Sequence, residues 1–448
     1  MKKRLAELSS RLHTGLTSAE AILDDCLAHI DDPSGEGNRV MLSVNRDAAR
    51  TAAQITDISL QAGLPSGPLA GIPISVKDLC DIAGEVTMAG SKALNDAPPA
   101  EKDAPIIARL RRAGAMFVGR TNMSEFAYSG VGINPHYDTP RNPYDRATGR
   151  VPGGSSSGAA VSVTDNMAAI GIGTDTGGSC RIPAALCGIV GYKPTAKRVP
   201  VDGIWPLSFS LDSVGSLGHS VACVALMDAV MADETPTEIK STPLTGLRLC
   251  LPENVVLDDL DSDVQTHFFE TVAKLEDAGV LIEYRQLAAF KGLPDMLDKG
   301  GIAAAEALAW HQTLLTEQGD VYDQRVRGRI MAAEKQSAAG YIKLLERRRS
   351  LQAQFAEETA HCDAVIMPTT PKVAPPISAF EQDEDFTRLN GLLLRNTSIA
   401  NVLDLCAISL PCQPADKPPV GFGIMGKHMG DHHLFEIAAS VEKLTVDS

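Results

Sequence analysis

The sequence lacks any apolar run long enough to cross a membrane, which takes about 18 consecutive residues. Its first residues are basic, but polar and apolar residues then alternate, so the apolar core of a signal peptide is missing. The nine cysteines are scattered and form no C-x-x-C pair. Such cysteines are typical of reduced thiols rather than of a disulfide framework. We therefore expect a cytoplasmic protein with no membrane partner.

An excess of positive charge is also missing. The chain carries 41 Lys and Arg against 56 Asp and Glu, which gives a formal net charge of −15. Nucleic-acid binding depends on clustered basic residues, so we expect no nucleic-acid partner. The hydrophobic fraction of 44% and the charged fraction of 22% are those of an ordinary globular protein.

Strand-like and helix-like segments alternate along the chain. Residues 17–20 are predicted to form a capping box before an amphipathic helix, and residues 71–77 predict a buried strand that ends at Lys77. Asp103 is predicted to start a helix that leads into a strand at 116–118. The same alternation returns at 247–282. It predicts an α/β fold with a mixed central sheet covered by helices on both faces.

No linker or repeat divides the chain, so we expect one domain over residues 1–448. Residues 230–360 are predicted to be a helix-rich region that covers the substrate. Within it, Arg347, Arg348 and Arg349 are interpreted as a solvated helix face.

Two glycine-serine loops stand out between residues 149 and 195: GGSSSG at 153–158 and GTDTGGS at 173–179. An Ala/Val-rich helix and a strand at 168–172 separate them, so both loops can face one pocket. Glycine lets several backbone N–H groups converge on one small anion, as a tetrahedral acyl intermediate requires.

Three other interpretations of these loops compete with that one. A phosphate-binding loop needs a lysine directly after its glycines, and none is there. A nucleophile elbow would use Ser156 in G-x-S-x-G, but the polar residues 142–152 supply no preceding strand. A flexible surface loop rich in small residues remains an alternative, although it explains one loop better than two.

Taken together, these segments resemble the amidase signature enzymes, which hydrolyse amides with a Ser–cis-Ser–Lys triad. The resemblance rests on GIPISVKD from Gly71, DAPIIARLRRAGAMFVGRTNMSEFA from Asp103, both serine loops and the KPT that begins at Lys193. It fades after about residue 220 and returns weakly at 363–371. Departures from the family pattern are Cys180, Ser157 and Thr164.

The resemblance implies a role for each matching residue. The nucleophile is Ser179, the cis-serine is Ser155 and the lysine is Lys77. The remaining implied residues are the oxyanion-hole amides of Thr176, Gly177, Gly178 and Ser179, the loop supports Asp175 and Arg181, and Ser129 as a substrate contact.

General chemistry agrees with a lysine base. No histidine lies near either loop in sequence, so Lys77 must activate the serine. Its pKa must then fall from about 10.4 toward about 7–8, which burial can cause. We therefore predict a buried, neutral Lys77 and a proton relay through Ser155. No metal or cofactor is required, and Asp431, His432 and His433 are interpreted as surface polar residues.

The predicted function is hydrolysis of the C–N bond in small or aryl amides, or in carbamates, through an acyl-enzyme on Ser179. The alternative is the glutaminase (A) subunit of a tRNA-dependent amidotransferase. The weak match after residue 220 and a C-terminal end without an appended partner-binding domain favour the first. Tyr128 and Trp205 are further candidates for the pocket wall. The oligomeric state is left open, with a homodimer among the options.

Overall fold

The computed structural model describes residues 5–446, without the side chains of Asp298 and Val446. Helices are spread along the whole chain, and the longest lie in its second half. In chain order they are α1 Leu5–His13, α2 Ala19–Asp31, α3 Gly37–Val40, α4 Arg46–Gln61, α5 Pro105–Arg112, α6 Ser157–Thr164, α7 Arg181–Cys187, α8 Val221–Met231, α9 Ser262–Asp277, α10 Ala288–Lys291, α11 Gly301–Gln318, α12 Gln324–Met331, α13 Ala338–Glu358, α14 Asp383–Arg395, α15 Ser398–Leu403 and α16 Asp431–Val446.

The strands form one sheet of eleven. In chain order they are β1 Met41–Ser43, β2 Pro73–Lys77, β3 Met116–Thr121, β4 Ile170–Thr174, β5 Val190–Lys193, β6 Val214–Gly218, β7 Arg248–Pro252, β8 Leu281–Arg285, β9 Ala364–Pro368, β10 Ala407–Pro411 and β11 Gly421–Met425.

The sheet is mixed, in the order β1-β3-β2-β4-β6-β5-β10-β11-β9-β7-β8. Strand β2 is parallel to both β3 and β4, whereas β4 and β6 are antiparallel. Adjacent residues of a strand point to opposite faces. On β5, Tyr192 packs against Phe435 of α16, and a Cβ at Gly191 would meet Ala184 of α7 at 2.4 Å. Helices therefore cover both faces, which confirms the predicted fold class.

The sequence misplaced two helix starts. The N-cap of α2 is Ser18, which accepts from the N–H of Ala21 at 3.0 Å, rather than Thr17. Helix α5 begins at Pro105, after Ala104 as its N-cap. Asp103 instead accepts from the N–H of Ala83 at 2.9 Å, because its carboxylate faces a neighbouring loop.

The region 230–360 is less uniform than expected. Residues 288–358 are mostly helical, but β7 and β8 lie before them and belong to the central sheet. The interpretation of the three arginines is wrong for one of them. Arg348 is half-buried and donates to the carbonyl oxygens of Val402, Ser210 and Asn401 at 2.8–3.1 Å. It therefore ties α13 to the segments around α15.

The last helix corrects another expectation. His432 and His433 are exposed, as predicted, and pair with nearby glutamates. Asp431 is buried, however, and accepts from the hydroxyl of Tyr192 at 2.6 Å and from that of Thr195 at 2.7 Å. It fixes the start of α16 against the end of β5. Within residues 5–446, no helix combines the length and the apolar character needed to span a bilayer.

Candidate functional site

Lys77 lies where two parallel strands end side by side. It is the last residue of β2, and Thr174 is the last residue of the adjacent β4. Because parallel strands place their carboxyl ends at the same edge of a sheet, the loops that follow β2 and β4 start close together. The Lys77 Nζ donates to Ser155 Oγ and to Thr174 Oγ1, both at 2.8 Å.

The Lys77 side chain is fully buried, as the sequence predicts. Burial disfavours the ammonium form and lowers the pKa of Lys77 from 10.5 to about 8. The neutral amine predominates only above that pH, so at pH 7 roughly one lysine in ten is uncharged. The lysine is thus closer to a working base than an ordinary lysine is, but it is not neutral at every physiological pH.

The first serine loop is held from two sides. The Gly154–Ser155 peptide bond is cis, as predicted. The carbonyl oxygen of Ser155 accepts from the N–H of Ser124 at 3.1 Å, and the N–H of Ser156 donates to the carbonyl oxygen of Ser179 at 3.3 Å. The two glycine-serine loops are therefore in direct contact, as the sequence led us to expect.

Ser156 does not have the setting of an elbow nucleophile. Its side chain is fully buried, and its hydroxyl donates to the carbonyl oxygen of Thr174 at 3.3 Å. No strand lies between β3 and α6 in the described chain, so the loop is not a strand-to-helix elbow. The geometry favours Ser179, which lines an open cavity, over Ser156.

The second loop is built around one carboxylate. Asp175 accepts from the N–H groups of Gly178 at 2.9 Å and Cys180 at 3.1 Å, and forms a two-point ion pair with Arg181 at 2.8 and 3.0 Å. The Nδ2 of Asn401 also donates to it, at 2.9 Å. Burial alone would raise the pKa of Asp175, but the charge and hydrogen bonds of Arg181 outweigh it and lower that pKa to about 2.

These contacts correct one predicted oxyanion-hole donor. The N–H of Gly178 is already bound to Asp175, because the loop turns tightly around that carboxylate. In the described chain, no protein acceptor takes the N–H groups of Thr176, Gly177 and Ser179. Those three amides are therefore the ones available to an anionic oxygen.

Two side chains from elsewhere fix the shape of this loop. Gly178 has φ +135°, and a Cβ there would lie 2.1 Å from the hydroxyl of Thr397, so the position requires glycine. That hydroxyl donates to the carbonyl oxygen of Gly177 at 2.7 Å. On the other side, Thr176 donates to Asp212 at 2.5 Å. Burial raises the pKa of Asp212 to about 6.

A cavity of about 450 Å³ opens in front of Ser179. Tyr128 and Ser129 contribute to its wall, and Ser129 Oγ donates to Asn390 Oδ1 at 3.2 Å. Trp205 is not part of the wall and packs instead against Phe126 at 5.8 Å. Residues from α11, α12, α14 and α15 also contribute to the lining.

Sequence reasoning missed several residues around the site. Thr174 ends the strand before the GTDTGGS turn, so its position could have been noticed. Asp212, Asn390, Thr397 and Asn401 belong to no recognisable motif and reach the site through tertiary packing alone.

One group of side chains in the described chain has metal-ligating chemistry, and it lies elsewhere. Glu283, His361 and Cys362 bring ligand atoms within 4.8 Å of one another. None of the three lines the cavity in front of Ser179. His361 is exposed and pairs with Glu283 at 2.7 Å.

Comparison with known proteins places the whole chain in one family. The family model described as Amidase matches residues 21–435. A 2-amino-5-chloromuconic acid deaminase of Comamonas testosteroni is 35% identical over 98% of this chain and 96% of its own length. The A subunit of the glutamyl-tRNA(Gln) amidotransferase of Symbiobacterium thermophilum is 33% identical over 98% of this chain and 96% of its own length. A solved amidase structure superimposes with a TM-score of 0.88 at 28% identity, covering 98% of this chain and 99% of that one.

The extent of these matches corrects the expectation that the resemblance fades after about residue 220. The similarity continues to residue 435, because the later segments form strands β7 to β11 of the same sheet. The weak motif signal there therefore no longer argues against the amidotransferase alternative. The share of each relative that is covered does not separate the two functions either.

The Asp175–Arg181 pair gives a stability prediction. Asp175→Asn leaves a buried guanidinium without its counter-charge, so we expect a loss of about 3–5 kcal/mol at pH 7. The pKa of Asp175 is lowered, so its ionisation stabilises the fold above its ordinary value of 3.8, and this stabilisation is lost as the pH falls toward about 2. The difference between wild type and variant should therefore shrink by about 2 kcal/mol between pH 5 and pH 2.

Thermal unfolding measured across this pH range tests the prediction. Asp320→Asn is the matched control, because Asp320 is fully exposed and its ion pair, with Arg327 at 3.6 Å, lies at the surface. A difference between wild type and Asp175→Asn that stays constant down to pH 2 would contradict the assigned ionisation.

Proposed function

Because this chain belongs to the amidase family, we propose that it hydrolyses the C–N bond of small amides through an acyl-enzyme on Ser179. The observation that carries the proposal is the 2.8 Å hydrogen bond between the buried Lys77 amine and Ser155, whose loop contacts that of Ser179. A lysine with a pKa of about 8 is partly uncharged near neutral pH and can then accept a proton. An ordinary lysine is already protonated at that pH and cannot.

In the proposed reaction the Ser179 hydroxyl attacks the carbonyl carbon, and its proton passes through Ser155 to Lys77. The N–H groups of Thr176, Gly177 and Ser179 stabilise the oxyanion. When the C–N bond breaks, Lys77 returns a proton through Ser155 to the leaving nitrogen. Water then hydrolyses the ester on Ser179 by the same relay, so the enzyme is regenerated without a cofactor.

The supporting residues act through the loop rather than on the substrate. Asp175 holds the N–H groups of Gly178 and Cys180, and so fixes the residues on either side of Ser179. Arg181 and Asn401 hold Asp175 in turn. Fixed backbone donors are effective because they need no rearrangement when charge develops.

The cavity favours a small substrate. A volume of about 450 Å³ lies in the lower part of the range for small-molecule sites. Leu207, Leu211 and Met296 give part of its wall an apolar character. The Comamonas relative is named as a deaminase of an amino-substituted acid, and this supports a small C–N substrate here. Carbamates fit the same chemistry, because they present a carbonyl carbon bonded to nitrogen.

A glutaminase function within a tRNA-dependent amidotransferase is the second candidate, and the Symbiobacterium relative favours it. Free glutamine carries an α-ammonium group, which a site usually pairs with a carboxylate. No described side chain that lines the cavity is Asp or Glu. This absence favours the stand-alone amidase over the glutaminase.

A labelling experiment identifies the nucleophile. A fluorophosphonate should label the wild type, because it reacts with an activated serine hydroxyl. Ser179→Ala should abolish labelling, and Ser156→Ala should retain it as the matched control from the other loop. Loss with Ser156→Ala and retention with Ser179→Ala would support the elbow alternative instead.

A substrate panel separates the two candidate functions. We expect the purified protein to release ammonia or amine from members of a set of small primary amides, anilides and carbamates, because no described Asp or Glu side chain lines the cavity. Ammonia and amine release are the readouts. Hydrolysis of glutamine alone would select the amidotransferase function.

The pH dependence of kcat/KM tests the base. Activity should rise with pH through about 8, because the reaction needs neutral Lys77. Lys193 is also buried with a pKa of about 8, so the profile alone does not identify the lysine. Thr174→Val removes an acceptor that favours the ammonium of Lys77, and should therefore move the midpoint to lower pH. Thr174→Ser should keep the midpoint of the wild type. A midpoint unmoved by Thr174→Val would exclude Lys77 as the base.

A further inference from the structure

Arg329 is a shielded cation without a counter-charge in the described chain. It lies on α12, and its side chain borders the cavity in front of Ser179. Its Nε is buried without a hydrogen-bond acceptor. Within the described chain the guanidinium forms no ion pair or hydrogen bond and has a single aromatic contact, with the Tyr128 ring at 4.6 Å from the centroid.

Two deeply buried arginines of the described chain do have a counter-charge. Arg181 pairs with Asp175, and Arg120 pairs with Asp78 at 2.7 Å. An arginine taken out of water normally has such a counter-charge, because an uncompensated buried charge is costly. An aromatic ring supplies only a small part of that compensation. Arg329 thus has unused donors at the wall of the proposed active site.

The cavity has a positive character although the chain is acidic overall. Arg329 and Arg395 are the charged residues of its described lining, and no described Asp or Glu side chain belongs to that lining. Arg395 is already engaged, since it donates to the carbonyl oxygen of Asp258 at 2.6 Å and to Asn396 at 3.0 Å. The guanidinium left for a ligand is therefore that of Arg329.

We propose that Arg329 binds a carboxylate of the substrate, so that the enzyme acts on short amides that carry a free acid group. This rests on the proposed function, because it places the acid next to the carbonyl attacked by Ser179. A guanidinium matches a carboxylate with two parallel hydrogen bonds, and the pairing is strong where water is excluded. The simplest such substrates are monoamides of short dicarboxylic acids, whose nitrogen leaves as ammonia.

The size of the cavity limits the length of this acid. Ser179 and Arg329 share one space of about 450 Å³, so the carbonyl and the carboxylate must lie within one small molecule. The aromatic face of Tyr128 under the guanidinium and the apolar wall near Leu207 suit a short hydrocarbon spacer. Glutamine fits less well, because its ammonium group would meet the same positive wall.

The test compares matched pairs of amides on the purified full-length protein. Succinamate, glutaramate and adipamate carry the acid, and butanamide, pentanamide and hexanamide are neutral compounds with the same number of carbons. Ammonia release gives kcat/KM for each, with wild type, Arg329→Gln and Arg329→Lys. Arg327→Gln is the control, because Arg327 lies on the same helix, outside this cavity, and pairs with exposed Asp320.

We expect the wild type to prefer at least one acid amide over its neutral partner. Arg329→Gln should reduce kcat/KM for that acid amide about 30-fold or more beyond any loss with the neutral amide, as when one partner of a shielded ion pair is removed. Arg329→Lys should recover part of the difference, since it keeps the charge but not the planar fork. Arg327→Gln should leave the ratio of the two amides unchanged.

Three results would overturn the proposal. The first is a wild type that prefers the neutral amides, and the second is an Arg329→Gln variant that slows both members of a pair equally. The third is a protein labelled at Ser179 that hydrolyses none of the acid amides. In each case, hydrolysis or labelling that depends on Ser179 would still support the proposed function. Loss of both hydrolysis and labelling would reject the proposed function as well.

Discussion

The candidate site depends on a lysine amine enclosed at the end of a buried strand. Enclosure shifts the pKa of Lys77 from 10.5 to about 8, a change equivalent to about 3 kcal/mol. The hydroxyls of Ser155 and Thr174 accept from the amine, so it stays hydrogen-bonded in either charge state. The parallel pairing of β2 and β4 brings these groups to one edge of the sheet, and the chemistry proposed here follows from that pairing.

A second buried charge gives the nucleophile loop its shape. Asp175 is held by Arg181 and Asn401, and its oxygens take two backbone N–H groups of the loop. Those amides are therefore unavailable to a ligand, while the amides of Thr176, Gly177 and Ser179 remain available. Arg329 is a different case, because its counter-charge is missing from the described chain and we assign that place to the substrate.

Much of this arrangement could be predicted from the sequence, because it is encoded in short contiguous segments. The strand that ends at Lys77, the two glycine-serine loops and the mixed sheet all give local signals. The amide of Gly178 was misassigned because a motif does not show which N–H groups a tight turn uses for itself. Asn401 contacts Asp175 from 226 positions away, and Arg348 is sheltered by a neighbouring segment, so neither follows from local pattern.

The central claim is that Lys77 is a buried amine able to lose its proton near pH 8. The most direct measurement is an NMR titration of the protein labelled with ¹³C at the lysine ε-carbons, in which the signal of Lys77 is identified by its absence from a Lys77→Arg variant. We predict a midpoint near 8, with the Lys77 side chain buried in both charge states. A midpoint at or above the ordinary lysine value of 10.5 would contradict the claim.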